Sequence, residues 1–438
     1  MASTNTAPTL MFFQRQLYNL TMRVLTPVIL YRLALRGLRY REYFGRWRER
    51  FGFFQDSGLN DTIWVHAVSV GEVNAAAPLI EALMRRFKGQ SFVITTVTPT
   101  GSARVQRLFG NRVFHVYLPY DLPGSVKRFL DRVRPRLAVV METEIWPNLF
   151  FYCKRRSVPI VVANARLSER SLKGYGPVRP LAREAIRSAA FIAASSQQDA
   201  ARLQQLGASP ERMRVVGNVK FDMRIPPGLD RVGKVLREYW GIARPVWVAA
   251  STHEGEEASV LEAHARVLRR FPDALLVIAP RHPERFRPVA QLCRGLGFRT
   301  LTRSDDTVAR HDTQCFVADT LGELMNFFAA CDVAFVAGSF DPIGGHNVLE
   351  PAAVAVPVIV GPHTFNFAEI TESLIHDGAA LRVRDPAELG DTVARLFAES
   401  HTREAMGKAA LISMERERGA VARIVTIVED VLGVGAAP

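Results

Sequence analysis

The sequence predicts an α/β protein in which two doubly wound parallel sheets follow one another along the chain. From about residue 60, short runs rich in Val, Ile and Phe alternate with longer amphipathic stretches, a pattern typical of parallel strands covered by helices. This alternation stops at Pro226, Pro227 and Gly228 and then starts again. The chain of 438 residues, 48% hydrophobic and 23% charged, is long enough for two or three packed domains.

The apolar runs after residue 60 are the expected strands. In the first sheet they are residues 63–68, 92–97, 113–118, 137–141, 160–163 and 191–194, and in the second 246–250, 274–279, 315–318, 333–337 and 358–360. We therefore expect an N-terminal segment over residues 1–45, a first α/β domain over 46–228 and a second over 229–438. The last helical stretch, residues 402–434, could pack back on the first domain.

The N-terminal segment combines positive charge with apolar side chains. The first 60 residues hold nine arginines against three acidic residues, which is six of the thirteen net positive charges of the chain. Only eight residues, one of them Pro27, separate Arg23 from Arg32. A spanning helix needs about 20 mostly apolar residues, so this segment is interrupted too often to cross a bilayer. Its composition predicts an amphipathic helix lying in the headgroup region of an anionic membrane.

Two alternatives remain open for this segment. It could be a helical hairpin that packs on the core with its arginines in solvent, or a cleaved signal peptide, although basic residues along its whole length disfavour the second.

The net charge of +13 also suits a nucleic-acid partner. The surplus lies in an apolar, arginine-spaced helix without aromatic stacking positions, however, so no nucleic acid is expected.

The cysteines and aspartates give no metal signal. Cys153, Cys293, Cys315 and Cys331 form no C-x-x-C pair and lack clustered histidines, so the sequence predicts neither a zinc site nor a disulfide framework, and a reducing cytoplasm fits best. The chain also lacks an Asp-x-Asp pair of the kind that holds Mg²⁺ on a nucleotide diphosphate. No metal is therefore expected.

Glu72 is the first candidate for acid–base chemistry. It follows the first expected strand in the loop H-A-V-S-V-G-E, residues 66–72, just before an amphipathic helix. Gly71 permits close approach of a ligand, and a carboxylate at the carboxyl edge of a parallel sheet is well placed to accept a proton. The alternative is that Glu72 only stabilises the first turn of the helix, where a negative charge is favourable.

A second acidic loop, M-E-T-E-I-W-P-N at residues 141–148, follows the fourth expected strand. Glu142 and Glu144 resemble a metal or sugar-hydroxyl site, but no His or Cys lies nearby in the sequence. Hydrogen bonding or charge stabilisation is therefore favoured over metal binding. Lys220, just before the linker, could stabilise a departing phosphate or a substrate carboxylate. A solvated linker lysine is the alternative.

The densest loop of the second domain is G-S-F-D-P-I-G-G-H-N-V-L-E-P, residues 338–351, which follows the strand expected at 333–337. Glycines that open a helix let backbone N–H groups and the helix dipole face a phosphate, and Glu350 could bridge ribose hydroxyls. The spacing of dinucleotide-binding and P-loop motifs is absent. The loop predicts a nucleotide cradle, with a plain tight turn as the alternative.

Three further polar loops, residues 251–254, 280–283 and 319–324, also follow expected strands. Arg281 can clamp a phosphate through two hydrogen bonds, and residues 319–324 offer backbone donors and a carboxylate to a nucleoside. Because the carboxyl ends of parallel strands share one edge of a sheet, we expect these loops to converge on one ligand cleft.

Six motifs then stand out together: S-V-G-E at 69–72, M-E-T-E-I-W-P-N at 141–148, N-A-R-L-S at 164–168, S-T-H-E-G-E-E at 251–257, P-R-H-P-E-R-F at 280–286 and G-G-H-N-x-L-E-P-A at 344–352. This combination resembles the Kdo transferases, which add 3-deoxy-D-manno-oct-2-ulosonic acid (Kdo) from CMP-Kdo to a lipid A precursor in lipopolysaccharide synthesis. The resemblance implies an inverting, metal-independent glycosyltransferase of the GT-B type, with two Rossmann-like domains facing a central cleft. It also implies a place at the cytoplasmic face of the inner membrane in Gram-negative bacteria.

The resemblance implies roles for particular residues as well. Glu72 matches the general base, and Glu142 and Lys220 match positions that stabilise the transition state. The CMP-contacting positions are matched by Pro280, Arg281, Leu321, Gly322, Glu323, Asn347, Val348, Leu349 and Glu350. No cofactor is implied; the substrates are CMP-Kdo and the lipid A precursor lipid IVA. The nearest alternatives are a nucleotide-diphosphate-sugar transferase of the same fold and a nucleotide-sugar epimerase.

Overall fold

A computed structural model describes residues 6–39, 41–305 and 309–434. The chain forms two units, residues 1–223 together with 418–438, and residues 224–417. The helices before residue 224 are α1 Thr6–Arg39, α2 Val70–Arg86, α3 Pro99–Phe109, α4 Pro123–Val133, α5 Pro147–Arg155, α6 Glu169–Gly174, α7 Arg179–Ser188 and α8 Gln197–Leu206. Those that follow are α9 Leu229–Trp240, α10 Glu256–Arg270, α11 Phe286–Gly295, α12 Leu324–Phe328, α13 Leu349–Ala352, α14 Ala368–His376, α15 Pro386–Ala398, α16 Ser400–Glu417 and α17 Ala420–Leu432.

Each unit is built on a seven-stranded sheet. The first contains β1 Thr62–His66, β2 Phe92–Thr96, β3 Phe114–Tyr117, β4 Pro135–Met141, β5 Ile160–Ala165, β6 Phe191–Ala194 and β7 Met213–Val215. The second contains β8 Val246–Thr252, β9 Leu275–Pro280, β10 Thr300–Thr302, β11 Cys315–Val317, β12 Val333–Val336, β13 Val358–Val360 and β14 Ala380–Arg382. The predicted class, α/β with two doubly wound sheets, is confirmed.

All strand pairs of the first sheet are parallel, in the order β3-β2-β1-β4-β5-β6-β7. Successive side chains of a strand point to opposite faces, and Trp64 accordingly lies in one buried core while Ile63 and Val65 lie in another. The strand order reverses direction between β1 and β4, which pair directly. In sheets of this kind ligands bind outside the carboxyl ends of the strands at such a reversal.

The second sheet follows the same plan, with parallel strands in the order β10-β11-β9-β8-β12-β13-β14. Val246 and Val248 face one core, whereas Trp247 and Ala249 face the other. Here the order reverses between β8 and β12, which are paired. The loops after these two strands, at the start of α10 and in residues 337–348, therefore lie at the reversal of the second sheet.

Helix α1 is held on the first unit by a polar patch near its start. Arg15 forms an ion pair with Glu184 of α7 at 2.6 Å, and the Tyr18 hydroxyl donates to the buried Asp121 carboxylate at 2.9 Å. Asp121 in turn accepts the backbone N–H groups of Asn148 and Leu149 at the start of α5. One face of α1 is thus tied to the helix that follows the 141–146 loop.

The rest of α1 carries exposed apolar side chains. Leu17 is 65% exposed, Val24 66% and Leu38 76%, and Arg23, Arg32 and Arg36 are exposed among them. Within residues 6–39, 41–305 and 309–434, every helix is too short or too polar to cross a membrane. The segment predicted over residues 1–45 therefore contains one long helix, of which the exposed part is both apolar and basic.

The C-terminal helix α17 belongs to the first unit. Ile424, Ile427 and Val428 lie in the same core as Leu79 and Ile80 of α2. The Asp222 carboxylate accepts the N–H groups of Gly419 and Val421, both at 2.6 Å, and so satisfies two donors at the start of α17. The second unit accordingly covers residues 224–417 instead of the expected 229–438, because the apolar face of α17 is buried against α2.

Candidate active site

Glu72 lies in the first turn of α2, at the strand-order reversal of the first sheet. Its Oε2 accepts the backbone N–H of Val68 at 2.8 Å, and its Oε1 accepts the Ser69 hydroxyl at 3.3 Å, while Ser69 caps the helix by accepting the Glu72 N–H. Burial, followed by the negative charge of Glu142, raises the pKa of Glu72 to about 7. A carboxyl group with that pKa can take up or release a proton at neutral pH.

Glu142 follows β4, the strand next to β1. Its backbone is in the left-handed region, with φ of +56°, and its N–H donates to the carbonyl of Ala163 in β5 at 2.9 Å. The next residue, Thr143, accepts the backbone N–H of Arg166 at 3.1 Å, and its carbonyl accepts the Tyr175 hydroxyl at 3.3 Å. The loop that carries Glu142 is therefore fixed to the segment that follows β5.

Glu144, from the same loop, is also half-buried. Burial raises its pKa, and Glu142 adds to the rise. Glu144 further raises the pKa of Glu72. The structure thus brings Glu72, Glu142 and Glu144 together as three mutually interacting carboxyl groups, as expected for loops at one edge of the sheet.

Lys220 lies in the 3₁₀ turn Val219–Asp222, which follows β7. Its backbone N–H donates to Oδ1 of Asn218 at 3.0 Å. The N–H of Val219 donates to Oδ1 of Asn164, the residue after Ala163 in β5, at 3.1 Å. The turn of Lys220 is therefore attached to the same strand end that holds the loop of Glu142.

The glycine-rich loop of the second unit is organised by one buried carboxylate. Glu256, in the first turn of α10 and 1% exposed, accepts the N–H groups of Gly338, Ser339 and Phe340 at 2.6, 2.9 and 2.8 Å. Three hydrogen bonds to one charged group fix the start of the loop firmly. Glu256 lies in the S-T-H-E-G-E-E motif, but sequence reasoning gave it no role because the partner loop is about 80 residues away.

Three histidines gather where the strand order of the second sheet reverses. The rings of His253, after β8, and His346, after β12, are nearly parallel, at 3°, with their Nε2 atoms 2.7 Å apart, and His282 meets His253 edge-on. Burial, then the charges of His253, Arg281 and His282, lowers the pKa of His346 to about 4. Burial also lowers the pKa of His253, with His282 and Arg281 adding to it. Sequence reasoning missed this pairing.

Arg281 and Pro280 stand at the end of β9, next to β8. The Arg281 N–H donates to the Thr252 carbonyl at 3.0 Å, and the side chain is exposed. Its charge acts on His253, His346 and Glu350. Arg281 is therefore a cation that an anionic group can reach at this sheet edge.

Of the cradle residues, Asn347 and Glu350 interact through their side chains. The Asn347 Nδ2 donates to Oε1 of Glu350 at 3.1 Å, while its Oδ1 accepts the Leu349 N–H. Burial raises the pKa of Glu350, and Asn347 and Arg281 oppose that rise. The side chains of Val348 and Leu349 are buried in the unit, so these two positions can offer a ligand only their main chain.

The segment 321–323 is arranged differently from the expectation of a free carboxylate. Glu323 forms a two-bond ion pair with Arg303, at 2.8 and 3.1 Å, and accepts the Thr320 hydroxyl. The hydrogen bonds from Arg303 are the main cause that lowers the pKa of Glu323. Leu321 is 65% exposed, and Gly322 has φ of +90°. Backbone N–H groups and an apolar side chain therefore remain for a ligand here.

In the part of the chain that the structure describes, no three His, Cys, Asp or Glu side chains form a metal-binding group.

The fold and a family match of its second unit together define the class of protein, a glycosyltransferase. Residues 256–411 match the family model of the group 1 glycosyl transferases. The architecture is similar to that of the UDP-GlcNAc 2-epimerase from Neisseria meningitidis bound to UDP-GlcNAc, with a TM-score of 0.57 over 85% of this chain and 99% of the other, at 14% identity. At that identity the likeness shows the fold alone.

The family is more specific. Residues 45–223 match the family model of 3-deoxy-D-manno-octulosonic-acid transferase (kdotransferase). The chain is 40% identical to the 3-deoxy-D-manno-octulosonic acid transferase of Haemophilus influenzae, over 95% of this chain and 99% of the relative, and 39% identical to that of Bordetella pertussis, over 96% and 100%. The chain belongs to the Kdo transferase family. This confirms the resemblance and the enzyme class, and decides against an epimerase.

Proposed function

We propose that this enzyme transfers Kdo from CMP-Kdo to the lipid A precursor lipid IVA in lipopolysaccharide synthesis, with inversion at the anomeric carbon and Glu72 as the general base. Family membership supports Kdo as the transferred group. The observation that carries the mechanism is the Glu72 carboxyl group, held by Val68 and Ser69 with a pKa of about 7. A base with a pKa near the working pH is the most effective.

In the proposed reaction, Glu72 takes the proton from the primary hydroxyl of the distal glucosamine. The hydroxyl oxygen then attacks the anomeric carbon of Kdo, and CMP leaves from the opposite face. Glu142 and Lys220 stabilise the charge that develops in the transition state. Glu142 has a second effect, because its negative charge raises the pKa of Glu72 and so makes it a stronger base.

The second unit is proposed to bind the CMP group of the donor. The exposed Arg281 guanidinium supplies positive charge for the single phosphate. Gly344 and Gly345, with φ of +107° and +75°, belong to the loop that Glu256 fixes in place. Asn347, Glu350 and the main chain of residues 321–323 and of Val348 supply hydrogen-bonding groups for the nucleoside, while the Leu349 N–H holds the Asn347 side chain in place. No metal or cofactor is required in this scheme.

The proposed place of action is the cytoplasmic face of the bacterial inner membrane. Helix α1 supports this proposal, because its exposed part joins apolar side chains such as Leu17 and Val24 to the exposed Arg23, Arg32 and Arg36. Apolar burial and attraction to anionic lipid then act on the same helix. On the other face of α1, the polar side chains of Arg15, Tyr18 and Asn19 attach the helix to the rest of the first unit.

The direct test is mass spectrometry of the glycolipid formed from CMP-Kdo and a tetra-acylated lipid A precursor. A mass increase of one or more Kdo residues is expected, and NMR of the product gives the anomeric configuration. Parallel reactions with a UDP-sugar donor serve as the control. Transfer from the UDP-sugar, or an unchanged acceptor with CMP-Kdo, would contradict the proposed substrates.

A further inference from the structure

The N-A-R-L-S motif at residues 164–168 has no role in the scheme above, yet its first residue lies among the groups that do. Asn164 is fully buried at the end of β5. Its neighbour Ala163 accepts the N–H of Glu142, and its own Oδ1 accepts the N–H of Val219, next to Lys220. Asn164 is therefore linked to the loop of Glu142 on one side and to the turn of Lys220 on the other.

The backbone at Asn164 is unusual for a strand residue. Its φ is +53°, in the left-handed region that non-glycine residues rarely adopt, and the pairing of β5 with β6 is irregular between Val162 and Ala165. Such bulges redirect a side chain and are common beside active sites. Here the bulge aims the Asn164 carboxamide oxygen at the turn Val219–Asp222 instead of leaving it in the regular strand alternation.

The other end of the same carboxamide has no hydrogen-bond partner within the described residues. The Nδ2 atom is buried and unpaired. A buried donor without a partner is unfavourable, and a position that served packing alone would not retain it. An aspartate would supply the same oxygen without the unpaired donor, but it would add a fourth carboxylate beside Glu72, Glu142 and Glu144, whose charges already act on one another.

We propose that Asn164 is a positioning residue for the transfer reaction, which places Lys220 relative to Glu142 by holding the N–H of Val219 without adding a negative charge. The inference rests on the proposed function, because it gives Lys220 and Glu142 their roles there. Asn164 acts through the turn of Lys220 and does not itself touch the reacting atoms.

The test is a double-mutant cycle in the full-length protein, with Asn164→Gly, Lys220→Ala and the pair. Glycine adopts the left-handed conformation without strain, so N164G removes the side chain but keeps the backbone. We expect N164G to lower kcat by about a hundredfold, the cost of misplacing a reacting group by about 1 Å, with CMP affinity unchanged. Because Asn164 acts through Lys220, N164G should cause little further loss in the K220A background.

A conservative variant separates positioning from folding. Asn164→Asp keeps an oxygen for Val219 but adds a charge, so the rising limb of its pH–rate profile should move to higher pH, with kcat largely restored at the alkaline end. Thr62→Ala is the matched control, since it also removes a buried side-chain hydrogen bond, from Thr62 to the Val133 carbonyl. Thr62 begins β1, whereas the loop of Glu72 follows the other end of that strand. It should lower the melting temperature without moving the pH profile.

The outcomes are distinct. If K220A has wild-type kcat, the role proposed for Lys220 is wrong, whatever Asn164 does. If K220A is impaired but N164G is not, or if the two losses simply add, the inference about Asn164 is overturned while the proposed function stands.

Discussion

The Nε2 atoms of His253 and His346 lie 2.7 Å apart and the two ring planes are within 3° of each other, so the N–H of one ring donates to the unprotonated nitrogen of the other. Both histidines stand at the strand-order reversal of the second sheet, with Arg281 and His282 beside them. Burial and the neighbouring cations lower the pKa of both rings, which keeps a second proton away from the pair. An anion bound here would instead raise the pKa of the two rings.

The first prediction is that CMP binding is linked to proton uptake at this pair. A phosphate next to His253 favours the charged imidazole and raises its pKa. Calorimetric titrations at pH 6.5, in buffers of different ionisation enthalpy, should show that the wild-type protein takes up more protons on binding CMP than His253→Asn. Comparing the two proteins cancels the titration of CMP itself. Equal proton uptake would place the phosphate away from His253.

The second prediction concerns Glu72. Replacing it with glutamine should lower kcat by ~10²- to 10⁴-fold, the usual contribution of a general base, while CMP affinity stays the same. In the wild-type enzyme, activity should rise with pH through a pKa of about 7, because Glu72 must lose its proton to act as a base. Glu81→Gln, about two and a half turns along the same helix, is the control that should retain activity. Near-wild-type transfer by E72Q would remove Glu72 from the role.

The third prediction follows from the charge of Glu142. Burial is the largest cause of the raised pKa of Glu72, and the carboxylate of Glu142 is the next. In Glu142→Gln that repulsion is lost, so the pKa of Glu72 falls and the rising limb of the pH–rate profile moves to lower pH. The maximal kcat should also fall, since Glu142 stabilises the transition state in the proposed scheme. A limb that stays in place would show that the two carboxyl groups do not interact.

Much of this architecture could be predicted from the sequence. The eleven expected strands are all present, with every end within two residues of its expected position, because a strand buried on both faces produces a continuous apolar run. The strands that were missed are β7, β10 and β14, each of three residues and none as apolar as the central strands. Two of them, Met213–Val215 and Ala380–Arg382, also carry an exposed arginine. So short a run has too little periodicity to be distinguished from a loop.

The candidate site, too, could be predicted from the sequence only in part. Strand-end motifs correctly indicated that Glu72 and Glu142 lie together, since residues after neighbouring parallel strands share an edge. The sequence could not show that Glu323 is paired with Arg303, because the partners of a long side chain depend on how the chain packs. It could not show the left-handed backbone at Glu142, Asn164 and Ser251 either. At Asn164 and Ser251 the strand pairing is irregular, and such irregularities depend on the neighbouring strands and not on the motif alone.

The fourth prediction tests the membrane face of α1. Neutralising Arg23, Arg32 and Arg36 together should weaken co-sedimentation with anionic vesicles by about a hundredfold, at about 1 kcal/mol for each basic residue. Arg269, Arg270 and Arg287, exposed in the second unit, are the matched set whose neutralisation should have little effect. Vesicles of neutral lipid should bind the wild-type protein less tightly. Equal losses from the two sets would indicate a general charge effect and contradict binding through α1.

The fifth prediction concerns acid stability and rests on His264. This histidine is fully buried in α10, where its Nδ1 accepts the Trp247 indole N–H at 3.2 Å and its Nε2 contacts the Gln314 carbonyl at 2.9 Å. The neutral ring therefore accepts at one nitrogen and donates at the other, so a second proton would break the bond to Trp247. Burial lowers the pKa of His264 to about 3.

The sign of the effect follows from the proton counts. Between pH 6.5 and 3 the unfolded chain binds a proton at His264 that the folded protein does not, so stability falls as the pH falls through this window. At about 1.36 kcal/mol for each pH unit, acidification from pH 7.5 to 5 should cost about 2 kcal/mol at this residue. Urea unfolding at both pH values, followed by Trp fluorescence, measures the difference. His264→Gln should be less stable than wild type at pH 7.5 but lose less on acidification, whereas replacing the exposed His311 by Gln should leave the wild-type dependence intact. An H264Q protein with the full acid sensitivity would show that other groups cause it.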